Sequence, residues 1–352
     1  MITRKNRSLA LLIASVSAAA LALSACTPQD SGSGGGGEGG DLSDVQVALV
    51  PPGSHPAFQV WKDGAQAAVD EFGIGGYTFN ETGEWDQTKQ NAAIDSLAAQ
   101  GYRAFAITGN SPTDINTTFE SLKSQGFPVA SITGCPAGDV NEADFCLATD
   151  VGQAAYLAAQ AAIDAIGGEG TLVHLTGNAV DSNTQRRITA VEQAVEETNG
   201  AVTLLQTITD IDKDLQTAQK AVDDLLASKG SQVDAIVTTA YNPAVAATQG
   251  VAPSGLDIKV IAIDDDATVL GAIGDGDITG TVVQNLWGQS YIATWALANM
   301  QVGNCTVVEP GIVIDSGYFL VTADNLETFD DERKAKTAEL LEQFQNEYLD
   351  CK

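Results

Sequence analysis

Basic residues are scarce in this chain: 17 Lys and Arg stand against 46 Asp and Glu in 352 residues, a net charge of −29. A surface of that sign repels phosphate backbones, so nucleic acid is excluded as a partner. Histidine is nearly absent, with only His55 and His174. A metal site built on histidine alone is therefore excluded, and no EF-hand-like spacing of acids supports a calcium site. There is no Walker loop, no nucleophile elbow and no convincing His-Asp-Ser set, so no enzyme, cofactor or metal is expected. Long apolar runs are missing too. The uncharged stretch Leu9–Leu23 is 15 residues long, short for a membrane span. What is present suits a globular body: hydrophobic residues make up 44% of the chain, enough for real cores. The length fits two domains of roughly 150 residues each.

The N-terminus reads as an address. Arg4, Lys5 and Arg7 precede Leu9–Leu23, which has the length of a signal h-region. The segment ends in Leu23-Ser24-Ala25-Cys26, which resembles the bacterial lipobox. That resemblance implies cleavage after residue 25 and acylation of Cys26, with two or more chains giving a stable anchor. Cleavage removes three basic residues and no acidic ones, leaving 14 against 46, a charge of −32. Such a body floats off an anionic membrane rather than lying on it. Residues 26–42 then form a lipidated cysteine and a Gly/Ser tether spanning about 20–24 Å. Its glycines satisfy a GxGxxG search, but no strand precedes them and no helix follows, so the match is discarded.

Four cysteines remain, Cys135, Cys146, Cys305 and Cys351, and three pairings are possible. Their spacing fits neither a CxxC redox motif nor a zinc ribbon. Proximity favours Cys135 with Cys146, and the fold argued next favours Cys305 with Cys351, each bond contributing up to roughly 3–4 kcal/mol.

From Val45 onward short apolar runs alternate with helical stripes. Val45–Val50 is a β-branched run of the kind a buried parallel strand shows, and Trp61, Ala65, Ala68 and Phe72 mark a helix over Phe58–Phe72. Strands are expected at Tyr77–Asn80, Ala104–Thr108 and Pro128–Ile132. The pattern restarts with an Ala-rich helix, Asp150–Ile166, and strands at Thr171–Leu175, Val202–Gln206, Ala235–Thr239, Lys259–Ile263 and Gly280–Val283. A last amphipathic helix is expected at Arg333–Tyr348. Two successive β-α-β series mean an α/β fold with two doubly wound parallel sheets.

Ligands of such sheets sit beyond the carboxyl ends of the strands. That rule selects the loops carrying His55, Trp85, Asn110, Thr133, Tyr241, Asn242 and Asp264, with Phe58 at the same rim. Aromatic faces beside carboxylates and amides suit a small polyhydroxylated ligand: rings cover C–H surface while acids and amides bridge hydroxyls. His174, inside a strand, reads as a buried structural imidazole, and Asp266 as a helix cap beside Asp264.

From Val47 to about Val313 the chain resembles the ribose-binding-protein group of bacterial solute-binding proteins, the receptors of ABC importers with the type I periplasmic-binding fold. The resemblance rests on Val47-Ala48-Leu49-Val50, on His55-Pro56-Ala57-Phe58 running into Lys62-Asp63-Gly64-Ala65, and on Thr108-Gly109-Asn110-Ser111-Pro112-Thr113-Asp114. Phe127-Pro128-Val129, Ala148-Thr149-Asp150, Ile261-Ala262-Ile263-Asp264 and Val282-Val283-Gln284 complete it. It implies three crossings between lobes, near Thr149, Gln284 and Val313. The first lobe would then be 43–149 with 285–313, and the second 150–284 with 314–352.

The resemblance also implies that Phe58 stacks on the sugar, that Asp264 grips two hydroxyls and that Gln284 reaches the ligand from the hinge. Departures are visible. His55 stands where many sugar binders have Asn, and Thr133-Gly134 where they have Asp-Arg. The position of a second-lobe arginine falls on Gln185, with Arg186 and Arg187 adjacent, and that of an asparagine near Ala240 or Tyr241. The expected protein is a monomeric, lipid-anchored extracytoplasmic receptor that closes on a small neutral sugar or polyol and delivers it to an ABC permease. A sugar sensor of the same fold, signalling to a membrane kinase or chemoreceptor, is the alternative.

Overall fold

The computed structural model describes residues 40–138 and 140–352. The signal segment, Cys26 and residues 27–39 of the tether lie outside the described residues. In chain order, β1 (Gln46–Val50) is followed by α1 (Val60–Phe72), β2 (Gly76–Phe79), α2 (Gln87–Gln100), β3 (Ala104–Ile107), α3 (Ile115–Ser124), β4 (Val129–Ile132) and β5 (Phe145–Ala148). The second series is α4 (Val151–Ala165), β6 (Gly170–Leu175), α5 (Ser182–Glu196), β7 (Val202–Ile208), α6 (Leu215–Lys229), β8 (Ala235–Thr238), α7 (Tyr241–Ser254), β9 (Lys259–Ile263), α8 (Ala267–Asp275) and β10 (Gly280–Gln284). The chain then returns through α9 (Leu286–Gln301), β11 (Cys305–Val307), β12 (Ile312–Asp315), β13 (Tyr318–Thr322), α10 (Phe329–Gln343) and β14 (Leu349–Cys351).

Two six-stranded sheets result, in the orders β12-β5-β4-β3-β1-β2 and β13-β10-β9-β8-β6-β7. The first is wholly parallel, and the second is parallel except for β13, which runs antiparallel to β10. The inner strands are apolar on both faces because helices cover both, while the edge strands β2, β7, β12 and β13 are only partly buried. In β1, Val47 and Leu49 pack with Trp61 and Ala65 of α1 and Ile292 of α9, while Ala48 and Val50 pack with Ile94 of α2 and Phe119 of α3. The second sheet divides likewise, with Val173 and Leu175 toward α6 and α7, and Leu172 toward α4 and α5. Gly64 lets α1 and α9 approach; a Cβ there would collide with Trp287 O and Ser290 Oγ. Aspartates at strand ends cap the helices that follow: Asp86 for α2, Asp150 for α4, Asp181 for α5, Asp214 for α6 and Asp266 for α8.

The chain passes between the sheets after β5, after β10 and after β12. The third passage falls at Ser316–Gly317 rather than near Val313, because β12 stays paired with β5 through Asp315. Both expected disulfides are formed, Cys135–Cys146 and Cys305–Cys351, closing loops of 11 and 46 residues in sequence separation.

The tail departs from expectation in its second half. β13 and Leu326 stay with the second sheet, but Leu340, Phe344 and Leu349 enter the core of the first, and β14 pairs with β11. Phe344 is fully buried against Phe145, ring centroids 5.2 Å apart. The physical reason is that the chain end is tied to the first lobe, by the Cys305–Cys351 bond and the β11–β14 pairing, so the helix before it must cross back. Replacing Phe344 by Ala should cost about 3–5 kcal/mol in denaturant unfolding; a cost below about 1 kcal/mol would place the tail outside that core.

Candidate functional site

The loops at the carboxyl ends of the strands form the site. After β1 the chain breaks at Pro51-Pro52 and turns through Pro56–Phe58, a single 3-10 turn capped by His55, whose Nδ1 accepts from Ala57 N at 3.3 Å. That bond leaves Nε2 of the neutral ring as the N–H, facing the second lobe. There it lies 3.9 Å from Asp212 Oδ2 and 3.4 Å from the Asn242 amide nitrogen. The His55 ring also meets Tyr241 edge-on at 5.5 Å. On its own side it lies 5.9 Å from Phe58 and 6.0 Å from Trp85. Four aromatic rings, three from the first lobe and Tyr241 from the second, thus gather at His55 where the two lobes meet.

The loops are braced from behind. Buried Gln90 donates to Thr108 O at 2.7 Å and Pro51 O at 3.3 Å and accepts from Asn110 N at 3.1 Å. Asn110 in turn donates to Pro52 O at 2.9 Å, so its amide nitrogen is engaged within the loops. Trp85 is 57% exposed and lies over Gly53, where a Cβ would sit 2.7 Å from its Nε1. Among the described residues six non-glycines have positive φ, and five of them are in strand-end loops: Glu84, Trp85, Thr133, Asp210 and Asp264. Each costs of order 1–3 kcal/mol, strain that collects where side chains must be aimed.

The second lobe supplies the charges. Asp264, at φ 65°, is 6% exposed and accepts from Gln284 Nε2 at 2.9 Å. Burial, helped by the negative Asp265 and Asp212, pushes its carboxyl up to about 7 against the opposing Gln284 donor and Arg187. Arg187 lies in electrostatic reach of Asp264, Asp181 and Asp212, and burial pulls its guanidinium below the ordinary arginine range. Burial also raises Asp212, against His55, two bonds from Asn242 and Arg187, and it lowers His55 against the pull of Asp212. Tyr241 donates to Asp266 Oδ2 at 2.5 Å. His174 lies behind the site, its Nε2 2.8 Å from Thr239 Oγ1, and burial holds its pKa at about 3, so it is neutral.

The structure brings together His55, Phe58, Trp85, Tyr241 and Asn242 at one end, and Asp264 and Gln284 deeper. Thr133 faces the hinge, where its Oγ1 donates to Gln289 Oε1 at 2.6 Å. Gln185 and Arg186 are elsewhere. Gln185 is exposed and donates to Ala179 O, and Arg186 pairs with Asp150 Oδ1 at 3.0 Å. Both line an open cavity of about 640 Å³ on the face of α4 and α5. The arginine near the carboxylates is Arg187, the next residue, because one helical step turns the side chain by about 100°. Asp212 was missed: the strand before it runs to Ile208, past the Gln206 at which the apolar pattern stops, so its loop escaped the strand-end rule. Among the described residues no group of His, Cys, Asp or Glu could hold a metal ion, and no helix is long and apolar enough to cross a membrane.

Residues 47–305 match the family model of a periplasmic binding protein domain. No curated protein matches the chain. Among solved structures, the fold is similar to an ABC transporter solute-binding protein from Burkholderia graminis C4D1M in complex with D-arabinose. That likeness has a TM-score of 0.72 at 21% identity, covering 82% of this chain and 99% of that one. It is similar also to one from Actinobacillus succinogenes 130z with bound D-allose (TM-score 0.71, 17% identity, 81% and 99% covered). A third, from Bacillus halodurans C-125 with bound myo-inositol, gives TM-score 0.71 at 18% identity, with 83% and 99% covered.

Asp264 should titrate near 7 when its carboxyl carbon is followed by NMR. Gln284→Met, which removes a donor to the charged form, should raise that value further. Because the folded pKa is raised, the group's contribution to stability falls as pH climbs from about 4 through 7. A midpoint near 4 in the wild type would contradict the burial described here.

Proposed function

The chain belongs to the periplasmic binding protein family, and on that premise we propose that it captures a small neutral sugar or polyol between its lobes and delivers it unaltered to an ABC importer. One observation carries the reading. Phe58, His55 and Trp85 cluster on the first lobe where His55 meets Asp212 and Asn242 of the second, and that lobe also holds a buried carboxylate, Asp264, whose protein partners leave capacity for further hydrogen bonds. Rings suit the C–H faces of a pyranose or cyclitol, and Asp264, Gln284 and Arg187 suit its hydroxyls. The sugars and the cyclitol bound by the three similar structures support the same ligand class.

The mechanism is a population shift. A ligand that touches both lobes binds the closed arrangement better and so favours it. The permease then reads the closed surfaces. In this reading the protein is exported, where its two disulfides are stable. It is acylated on Cys26, held to the membrane by lipid alone, and works as a monomer.

A thermal-shift screen of neutral monosaccharides and polyols should find a stabilising ligand, and calorimetry should then show Asp264→Ala weakening it by about tenfold or more. Unchanged affinity would remove Asp264 from the site. Hydroxyl donors favour the ionised carboxylate, so affinity should rise with pH up to about 7 and level off, with protons released on binding below that. Intact-mass analysis of the membrane-extracted protein should show an acylated Cys26 at the new N-terminus. A Cys26→Ser protein should be shed from the membrane, and its retention there would refute lipid anchoring.

A further inference from the structure

The C-terminal helix touches both lobes and the ligand loop. Its first turns lie with the second lobe: Leu326, just before α10, packs against that lobe's core. Arg333 is 8% exposed and donates from Nη1 to Asp265 Oδ2 at 2.8 Å and from Nη2 to Asp330. Its Nε is buried with no partner, and the guanidinium lies over the Phe329 ring at 5.8 Å. One turn on, buried Thr337 receives Asn285 Nδ2 at 3.1 Å, at the second passage between lobes. Leu340 and Phe344 are then in the first lobe's core, and Cys351 is bonded to Cys305.

We propose that Arg333 is a positioning residue for the ligand loop Asp264–Asp266, and that α10 is a fourth connection between the lobes which limits how far the cleft opens. The inference rests on the sugar-binding reading only for its effect on affinity.

A buried guanidinium is stable only where carboxylates meet it, which fixes Arg333 on Asp265. Asp265 is the neighbour of Asp264, whose left-handed backbone must be held from outside. Opening that draws the end of β9 away from the first lobe must either break the Arg333–Asp265 pair or bend or withdraw the part of α10 that runs from Arg333 into the core around Phe344. The three passages alone impose neither cost. Without Arg333, the charge of Asp265 is left unpaired beside Asp264 and opposes ionisation of the ligand-gripping carboxylate.

The test uses the full mature protein carrying spin labels at Gln100→Cys and Lys220→Cys, exposed positions in the two lobes; the native disulfides stay closed without reductant. Arg333→Met should shift the ligand-free inter-lobe distance distribution to longer values and weaken the sugar found by screening about tenfold. Arg333→Lys should recover part of both. Asp265→Asn, which keeps the shape of the loop, should widen the distribution in the same direction even if Arg333→Met folds poorly. A distance distribution unshifted from wild type in both Arg333→Met and Asp265→Asn, with the affinity of Arg333→Met within twofold of wild type, would overturn the proposal. Should no sugar bind the wild type, the sugar-binding reading falls, and the distance distribution alone decides whether α10 restrains the lobes.

Discussion

A carboxylate placed in dry protein must be paired, hydrogen-bonded or protonated. Asp264 receives one donor, from Gln284, and the reach of one guanidinium, Arg187, while Asp265 and Asp212 work against it. It sits at the end of a central strand in a backbone conformation that a non-glycine residue adopts only under constraint. Much of the surrounding structure maintains this state. Asp266 caps α8 and takes the Tyr241 hydroxyl, Thr281 donates to Asp264 O, and Arg333 holds Asp265. In the proposed reading, ligand hydroxyls complete what the protein leaves undone. Recognition is then the relief of an under-solvated charge rather than the making of many equal contacts.

That charge can be engaged from both sides only if the lobes are free to approach and are guided when they do. Guidance lies in a buried amide cluster. Gln289, on α9, donates to Ser316 Oγ at 2.8 Å and Thr149 Oγ1 at 3.3 Å while accepting from Thr133. It therefore touches the first and third passages and the loop after β4. Asn285, at the second passage, caps α9 and donates to Ser316 O. Neutral amides and hydroxyls can exchange partners over a small rotation at little cost, which a buried ion pair could not. In the proposed reading the lobes move as packed cores, and the motion concentrates at these few residues.

The fold was legible because parallel strands buried on both faces write themselves as apolar runs. Val47–Val50 and Ile261–Ile263 could hardly be anything else. The elements that escaped were short ones whose identity depends on distant partners: β12 and β13 have mixed burial, and β5 follows a disulfide loop. The end of the tail, from Leu340 on, packs with the other lobe than expected, because amphipathicity tells that a helix packs, not against what. The strand-end rule found the aromatic and carboxylate loops, and it failed at Asp212 where a strand ran two residues beyond its apolar pattern. The resemblance pointed to an arginine but not to its phase on α5. Gln185 and Arg186 are engaged elsewhere, and Arg187, one step further, is within electrostatic reach of Asp264, Asp181 and Asp212. Side-chain phase at a helix start depends on the cap, here Asp181, which adjacent sequence alone does not rank.

The central claim is a cleft that holds an uncharged polyol between an aromatic wall on one lobe and a buried acid on the other. A crystal structure of the protein grown with its most stabilising sugar or polyol addresses it most directly. The account predicts ligand density packed on Phe58, with two hydroxyls on Asp264 and others within reach of Arg187 and Gln284. Density held by one lobe alone, or seated in the open cavity between α4 and α5, would contradict it.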